Sequence, residues 1–572
     1  MCILAQRPAK GVIMAKRNEN EFVFVPLGGV GEIGMNMAAY GFGSPFNRKW
    51  IVVDCGVTFG GPEQPGIELI MADPTFLDEE ADNVLGLILT HSHEDHYGAV
   101  LDLWPSFNKP VYATDFTTSM LEAKRIGNNI SEKVHVINMK PNVPFTLGDF
   151  KIEAIRMAHS IPECNSLLIT TPIGSALHTG DWKLDENPIS SLPTDEKRLK
   201  EIANRKDSLA LICDSTNATK TGQSPSEAEI AVTLENLIKN AKHRVAVTTF
   251  ASNLGRVISI ARAAQKAGRQ VVLSGLSLHR ITTIAKELGM LEDLEPFLDQ
   301  DAYAHLPRNK VVLICTGSQG ESRAAVSRIA RGVHPVVDLN AGDMMIFSSW
   351  AIPGNEKEVL DIQNQLIDKG VEVITNADEL VHVTGHPRRG ELTQLYDWVN
   401  PDLLIPVHGE AMHLEAQAEL GKSHGIKQVF SIRNGDMVRL APEPEVSQSE
   451  VRVGELYLDG DVLCTPSESG VRGRKRLQFG GIASVSLCLN KKGQIISGPD
   501  MNIIGLPLLE DDDKDIMEQI VEQAINGVMR SMPPKRRSDE KRLNEAMRRA
   551  VRSALAGYWG KKPNVSIFVH VV

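Results

Sequence analysis

The sequence predicts a multidomain protein of mixed α/β class, on three observations. Roughly the first 180 residues read as short strands bounded by Gly, Pro and Asn, at 22–27, 50–54, 84–90, 151–155 and 166–171. Beyond Ser224, strands at 244–249, 270–274, 310–315 and 344–348 alternate with helical stretches, the rhythm of a parallel sheet covered by helices. After a polar, Pro-containing segment from Ala441, a smaller unit joins strand patterns at 483–489 and 564–572 to two helical patterns between them.

Local signals support these elements in turn. Ser224-Pro225-Ser226-Glu227 offers an N-cap, Pro at the first helical position and a capping-box Glu, opening a helix to about Asn240. In the last unit Ile516, Ile520, Ala524, Ile525 and Val528 recur at helical spacing, and Pro533-Pro534 separates that helix from the next. At roughly 150 residues per domain the 572-residue chain allows three to four domains, and no fixed-period repeat is visible.

Composition narrows the class. Apolar residues at 42% and charged residues at 23% suit globular cores and exclude disordered or collagen-like chains. No apolar run reaches the length of a membrane span, residues 1–16 hold no signal-length apolar segment, and Met14 is an alternative start. Seven cysteines, spread singly without C-x-x-C, predict reduced thiols in a cytoplasmic setting. A net charge of −11 argues weakly against nucleic acid, because distribution matters more than the sum. Residues 535–562 hold ten Lys/Arg against three Asp/Glu, and Arg472, Arg474, Lys475 and Arg476 form a second basic run. Such runs read equally as a solvated helix face or as a site for RNA or a partner.

Gly29-Val-Gly31-Glu-Ile-Gly34, with Asp54 further on, fits the spacing of a dinucleotide-binding fingerprint. Only about six residues separate Gly34 from the next turn, too few for the helix that would hold the pyrophosphate. A strand–turn–strand meander is expected instead. The informative segment is Thr90-His91-Ser92-His93-Glu94-Asp95-His96 after a buried strand. Imidazole and carboxylate together suit zinc or manganese, and burying four such groups unpaired would cost several kcal/mol.

This segment resembles the H-x-H-x-D-H signature of the metallo-β-lactamase superfamily. Asp54 resembles its first motif, which supports the histidine loop from behind; His159 and Asp181 resemble its third and fourth. By that resemblance His91, His93 and His159 hold one metal, Asp95 and His96 another, and Asp181 bridges them. Leu211-Ile-Cys213-Asp214-Ser215 resembles motif A of the β-CASP nucleases, His382-Val-Thr384-Gly385-His386 motif B, and Pro406-Val407-His408-Gly409-Glu410 motif C. A histidine at motif C accompanies RNA-acting members, so His408 implies RNA and the remaining ligand of the second metal. With Leu27-Gly28-Gly29-Val30-Gly31-Glu32-Ile33-Gly34-Met35-Asn36, the chain is most similar to the bacterial ribonuclease J family.

The resemblance implies a metallo-β-lactamase αββα sandwich with an inserted parallel β-CASP α/β domain and a small α+β C-terminal domain. The expected divisions are an extension at 1–20, lactamase residues 21–221, β-CASP 222–375, lactamase return 376–440, linker 441–465 and C-terminal domain 466–572. It implies a ribonuclease with two divalent ions, zinc first and manganese or magnesium as alternatives. Activity is expected 5′ to 3′ from 5′-monophosphate ends, with endonuclease capacity, in RNA maturation and decay. His386 is the expected general acid, Asp95 and Asp214 the other catalytic carboxylates, and His382, Thr384 and Gly385 the phosphate contacts. Separately, Thr316-Gly-Ser318-Gln319-Gly320-Glu321 follows a strand and opens a helical stretch, so its amides, those of Ser318 and Gln319 among them, are expected to cradle a phosphate. Expected partners are single-stranded RNA, a second or fourth copy of the chain, and RNA-degradation proteins, with no membrane. A metal-free RNA-processing scaffold and a small-molecule metallohydrolase remain alternatives.

Overall fold

The computed structural model describes residues 19–352, 354–507, 513–537 and 539–572; of the expected extension, residues 1–18 lie outside the described residues. Two sheets face each other in the first unit, which comprises the described residues up to 58 together with 71–455. One orders its eight strands Glu445–Ser447, Met437–Ala441, Glu21–Gly28, Met37–Gly43, Lys49–Val53, Val84–Ile88, Val111–Ala113 and Val136–Asn138. The other orders seven, Phe145–Leu147, Phe150–Arg156, Asn165–Thr171, Gly174–His178, Leu209–Asp214, Leu403–Val407 and Gln428–Val429. Alternate residues turn inward, so Phe22, Phe24, Tyr40 and Ile51 meet Phe150, Ile152, Leu167 and Ile212 in one apolar layer. The outward face of the seven-stranded sheet buries Leu168, Leu177 and Leu211 under Leu392, Leu395 and Tyr396 of helix Arg389–Val399.

Between Leu209–Asp214 and Leu403–Val407, which pair directly in parallel, the chain builds a separate six-stranded parallel sheet. Its order is Leu298–Asp299, Gln270–Ser274, Val311–Cys315, Val245–Thr248, Met344–Phe347 and Glu372–Ile374. Helices cover both faces, which is why its strands are apolar throughout rather than alternating. The helix opening this insertion runs Glu227–Asn240, with Ser226 as its cap and Glu229 closing the capping box. This moves the expected cap from Ser224 by two residues. The cause is Asp185, which accepts from Ser226 Oγ at 2.6 Å and Glu227 N at 2.9 Å and so fixes the positive end of the helix. Glu227 is buried and pairs with Arg256 instead.

The meander reading of the glycine-rich opening holds: strand Met37–Gly43 follows it, not a helix. Residues expected as linker contain strands. Glu445–Ser447 pairs with Met437–Ala441, and Glu455–Asp459 with Val462–Cys464. The second unit, residues 59–70 and 456–572, centres on Ile482–Leu489, flanked by Ile495–Ile504 antiparallel and Asn564–Val571 parallel. Helices Asp513–Ser531 and Glu540–Trp559 cover one face through Met517, Val521, Ile525, Leu543, Met547 and Val551. Strand 495–504 escaped sequence reading because Gly498-Pro499-Asp500 looks like a turn; it is an edge strand with register shifts, where Pro is tolerated. Much of the basic charge here is locally paired, as Arg474 with Asp459, Lys475 with Glu63, and Arg548 and Arg549 with Glu545. No helix among the described residues is long and apolar enough to cross a membrane.

One close approach secures the histidine loop. Cys55 N donates to His96 O at 2.7 Å, and a Cβ on Gly56 would stand 1.7 Å from Asp95 O. Gly56→Ala is therefore expected to displace the 94–97 turn and cost about 2 kcal/mol or more, read by urea unfolding against wild type.

Candidate active site

Strand ends deliver the chemistry. Gly174–His178, Leu209–Asp214 and Leu403–Val407 run parallel, with His178 beside Ile212 and Asp214 beside Val407. Asp181, Asp214 and His408 therefore emerge at the same end. In the facing sheet Val53 pairs in parallel with Ile88, bringing Asp54 to Thr90 and His91. The Asp54 carboxylate accepts from Thr90 N at 2.8 Å, Thr90 Oγ1 at 2.8 Å and His96 Nδ1 at 2.7 Å. Asp54 and His408 both adopt left-handed backbone, φ 62° and 52°, a costly conformation that surrounding bonds must hold. For His408 that bond is its N–H to Gly29 O at 2.8 Å, so the glycine-rich turn supports this loop rather than a nucleotide.

The side chains converge in overlapping groups. His93 Nδ1 lies 3.1 Å from His91 Nε2 and 3.0 Å from His159 Nε2, and Asp181 Oδ2 is 3.9 and 3.7 Å from those two partners. On its other side Asp181 Oδ1 lies 3.1 Å from His96 Nε2 and 3.3 Å from His408 Nδ1. Asp95 Oδ2 completes that group at 3.6 Å from His96 and 3.3 Å from His408 Nε2. His386 Nδ1 donates to Asp214 Oδ2 at 2.7 Å, while Asp214 Oδ1 accepts from Thr216 N at 2.8 Å. The insertion's return loop also reaches the first group, since Gly385 O accepts from His159 Nδ1 at 2.7 Å.

Burial and charge divide the imidazoles. Burial holds His91 and His159 well below the usual range and brings His93 to about 4, leaving neutral rings with lone pairs to offer. Burial also opposes the charged forms of His96, His386 and His408, but their carboxylates outweigh it. Asp181, Asp95 and Asp54 raise His96 well above its ordinary value. Asp214 and Asp181 raise His386, and Asp181 with bonds to Asp214 and Asp95 brings His408 to about 10. The same histidines hold Asp181, Asp95 and Asp214 below the ordinary carboxylate range despite their burial.

This donor set fits a divalent cation. His93 Nδ1 has at most one hydrogen to share between the two ring nitrogens about 3 Å from it, whereas a cation offers every lone pair a partner, and ligands around zinc are spaced about 3.4 Å. Asp181 Oδ1, fully buried, has no hydrogen bond of acceptable geometry. Donor atoms within each of the groups His91, His93, His159, Asp181 and Asp95, His96, Asp181, His408 lie within 4.8 Å of one another.

The expected phosphate contacts divide. His382 is buried, its Nδ1 has no partner, and its ring lies 5.6 Å from Trp350, over which Lys220 Nζ sits at 4.0 Å. Thr384 Oγ1 accepts from Asn217 Nδ2 at 2.8 Å and His386 N at 3.2 Å, which leaves its own hydrogen to donate. The backbone amide of Gln319 donates to Glu321 Oε2 at 3.1 Å, and the helix after this loop starts only at Ala325, while Ser318 is buried. Sequence reasoning missed Lys220 and Trp350, and assigned no role to Thr90 and Thr216, which adjoin the histidine run and motif A, or to the carbonyl of Gly385 as an acceptor.

Known families match in the same order along the chain. Residues 49–193 match the Beta-lactamase superfamily domain, 242–366 the Ribonuclease J, beta-CASP domain, 370–431 the Zn-dependent metallo-hydrolase RNA specificity domain, and 469–572 the Ribonuclease J C-terminal domain. The Ribonuclease J of Sinorhizobium meliloti is 48% identical over 96% of this chain and 97% of its own. The chain belongs to the ribonuclease J family. The Ribonuclease J of Mycolicibacterium smegmatis is 35% identical over 94% of this chain and 95% of its own. A crystal structure of a protein of unknown function from Enterococcus faecalis shares the fold, with TM-score 0.53 at 15% identity over 73% of this chain and 99% of that one. As a ribonuclease J family member the chain is a hydrolytic, metal-dependent ribonuclease, and the convergent histidines and carboxylates are where its divalent metal fits.

Two measurements check the site. Asp54→Asn is expected to weaken metal binding roughly 10- to 100-fold, by loosening His96 and Thr90, as read by competition with a chromogenic chelator. The surrounding carboxylates raise His96 and His408 above the ordinary imidazole range, so in the metal-free protein both are expected to carry protons near neutral pH. Metal uptake must then release protons and strengthen as pH rises, which calorimetric titration in buffers of different ionisation enthalpy will show.

Proposed function

We propose that the chain degrades single-stranded RNA from the 5′ end, favouring a 5′-monophosphate, and also cuts internally, during RNA maturation and decay in the cytoplasm. The residues around Asp181 would hold two divalent ions, zinc in the first instance, which when bound would supply positive charge for the phosphoryl oxygens and acidify water at the site. His91, His93, His159 and Asp181 hold one, and Asp95, His96, His408 and Asp181 the other.

The chain's own groups do the rest. Asp214 takes the Nδ1–H of His386 and thereby fixes which ring nitrogen faces the substrate. His386, half-buried at 21% side-chain exposure, protonates the departing 3′ oxygen as water adds to phosphorus, and the proton that water gives up restores the His386 imidazolium. The P–O3′ bond breaks, so the released nucleotide keeps its 5′-phosphate and the shortened chain again begins with one.

One observation carries the end preference: the unpartnered, buried Nδ1 of His382, close to Trp350 and its overlying Lys220. Burial and the nearby Arg256 hold this ring neutral, and in the tautomer with its hydrogen on Nδ1 it offers a buried donor for which a terminal phosphate is an acceptor, with the Lys220 ammonium close by. The loop that bears His386 also bears His382, so the segment that reads the end also protonates the leaving group. The small C-terminal unit is assigned to self-association into a dimer or tetramer.

The test uses body-labelled RNA with 5′-monophosphate, 5′-triphosphate or 5′-hydroxyl ends, with manganese or magnesium. Mononucleotides released fastest from the monophosphate, and lost by more than about 100-fold in His386→Ala, are expected. His382→Ala should erase the end preference while sparing internal cleavage. Only internal fragments, whatever the 5′ end, would overturn the directional reading.

A further inference from the structure

The loop that carries His382 and His386 lies where the inserted unit rejoins the sandwich, and a single carboxylate ties both crossings together. Glu391, 1% exposed, sits in the first turn of helix Arg389–Val399. Its Oε2 accepts from Arg388 N at 2.9 Å, the bond a helix-capping glutamate makes. Capping does not account for its other partners. The same oxygen accepts from Ser224 N at 3.0 Å and Ser224 Oγ at 2.8 Å, where the chain leaves for the insertion. Oε1 accepts from Leu184 N at 3.0 Å, three residues beyond Asp181. Three separate segments thus donate to one buried carboxylate, and a neutral amide there would face several N–H groups with a single acceptor oxygen.

Those segments frame the catalytic loop. On it, Gly385 O accepts from His159 Nδ1 at 2.7 Å and His386 Nδ1 donates to Asp214 at 2.7 Å. The Ser224 hydroxyl also lies 3.4 Å from His386 O, so it stands between Glu391 and the loop.

We propose that Glu391 is a positioning residue for the nuclease reaction. By joining residues 184, 224 and 388 it holds the 382–388 loop in the place where His386 meets Asp214 and the Gly385 carbonyl meets His159. The inference rests on the roles proposed above for His386 and His159. Glu391 touches neither substrate nor metal; it acts through the loop.

The experiment compares wild type, Glu391→Gln, Ser224→Ala, their double variant and His386→Ala. Each is measured for metal content, thermal midpoint, cobalt-substituted visible spectrum, and kcat and KM on 5′-monophosphate RNA. Glu391→Gln is expected to stay folded, lose roughly 10- to 100-fold in kcat with little change in KM, and shift the cobalt bands as His159 turns. Ser224→Ala should lose less in the same direction, and the double variant should be no worse than Glu391→Gln, because both act through one linkage. Wild-type kcat and cobalt spectrum in folded Glu391→Gln would overturn the proposal, as would a loss that follows only the unfolded fraction. Should Glu391→Gln fail to fold, wild-type kcat in Ser224→Ala overturns it. Full activity in His386→Ala would instead sink the reading on which the inference rests.

Discussion

Asp181 is 2% exposed and stands within 4 Å of five imidazoles, those of His91, His96, His159, His386 and His408. Removing a carboxylate from water costs several kcal/mol unless positive charge compensates it, and the same holds in reverse for each charged imidazole around it. The rest of the centre follows from that constraint. Sequence-distant strands must end at one place, Asp54 must hold His96 from behind, and the backbone must accept left-handed conformations at Asp54 and His408. A divalent cation completes the compensation that protons provide in its absence.

The inserted sheet is more than a neighbour of this centre. Its return loop contributes His386 directly and, through the Gly385 carbonyl, orients His159 on the sandwich side. Buried charges hold this seam: Asp185 takes the start of helix Glu227–Asn240, Arg256 donates to Val381 O at 2.8 Å, and Glu391 joins exit to return. A change in how the insertion sits is thereby a change in the chemistry. This arrangement places the proposed end contact His382, the proposed acid His386 and the carbonyl that holds His159 within the short run 382–388.

The sandwich, the parallel insertion and the convergence of the histidine run with His159, Asp181 and His408 were legible in the sequence. Strand and helix alternation carried the parallel insertion and the cost of burial marked the histidine run, whereas the sandwich and the grouping with His159, Asp181 and His408 were implied by the resemblance of their motifs. What escaped depends on tertiary partners. The helix cap belongs to Ser226 rather than Ser224 because Asp185, distant in sequence, claims that helix start. Strand 495–504 hides behind a Gly-Pro pair that only an edge position permits. The loop amide of Gln319, expected to cradle a phosphate, instead donates to Glu321, a partner two residues on that the loop's glycine pattern did not reveal. Glu391 drew no attention in the sequence, since its partners Leu184 and Ser224 are distant along the chain.

Anomalous diffraction from crystals grown with zinc, and separately with manganese, tests the central claim most directly. The account predicts two peaks flanking Asp181, one against His91, His93 and His159 and one against Asp95, His96 and His408. A single peak, or ions bound away from Asp181, would contradict it.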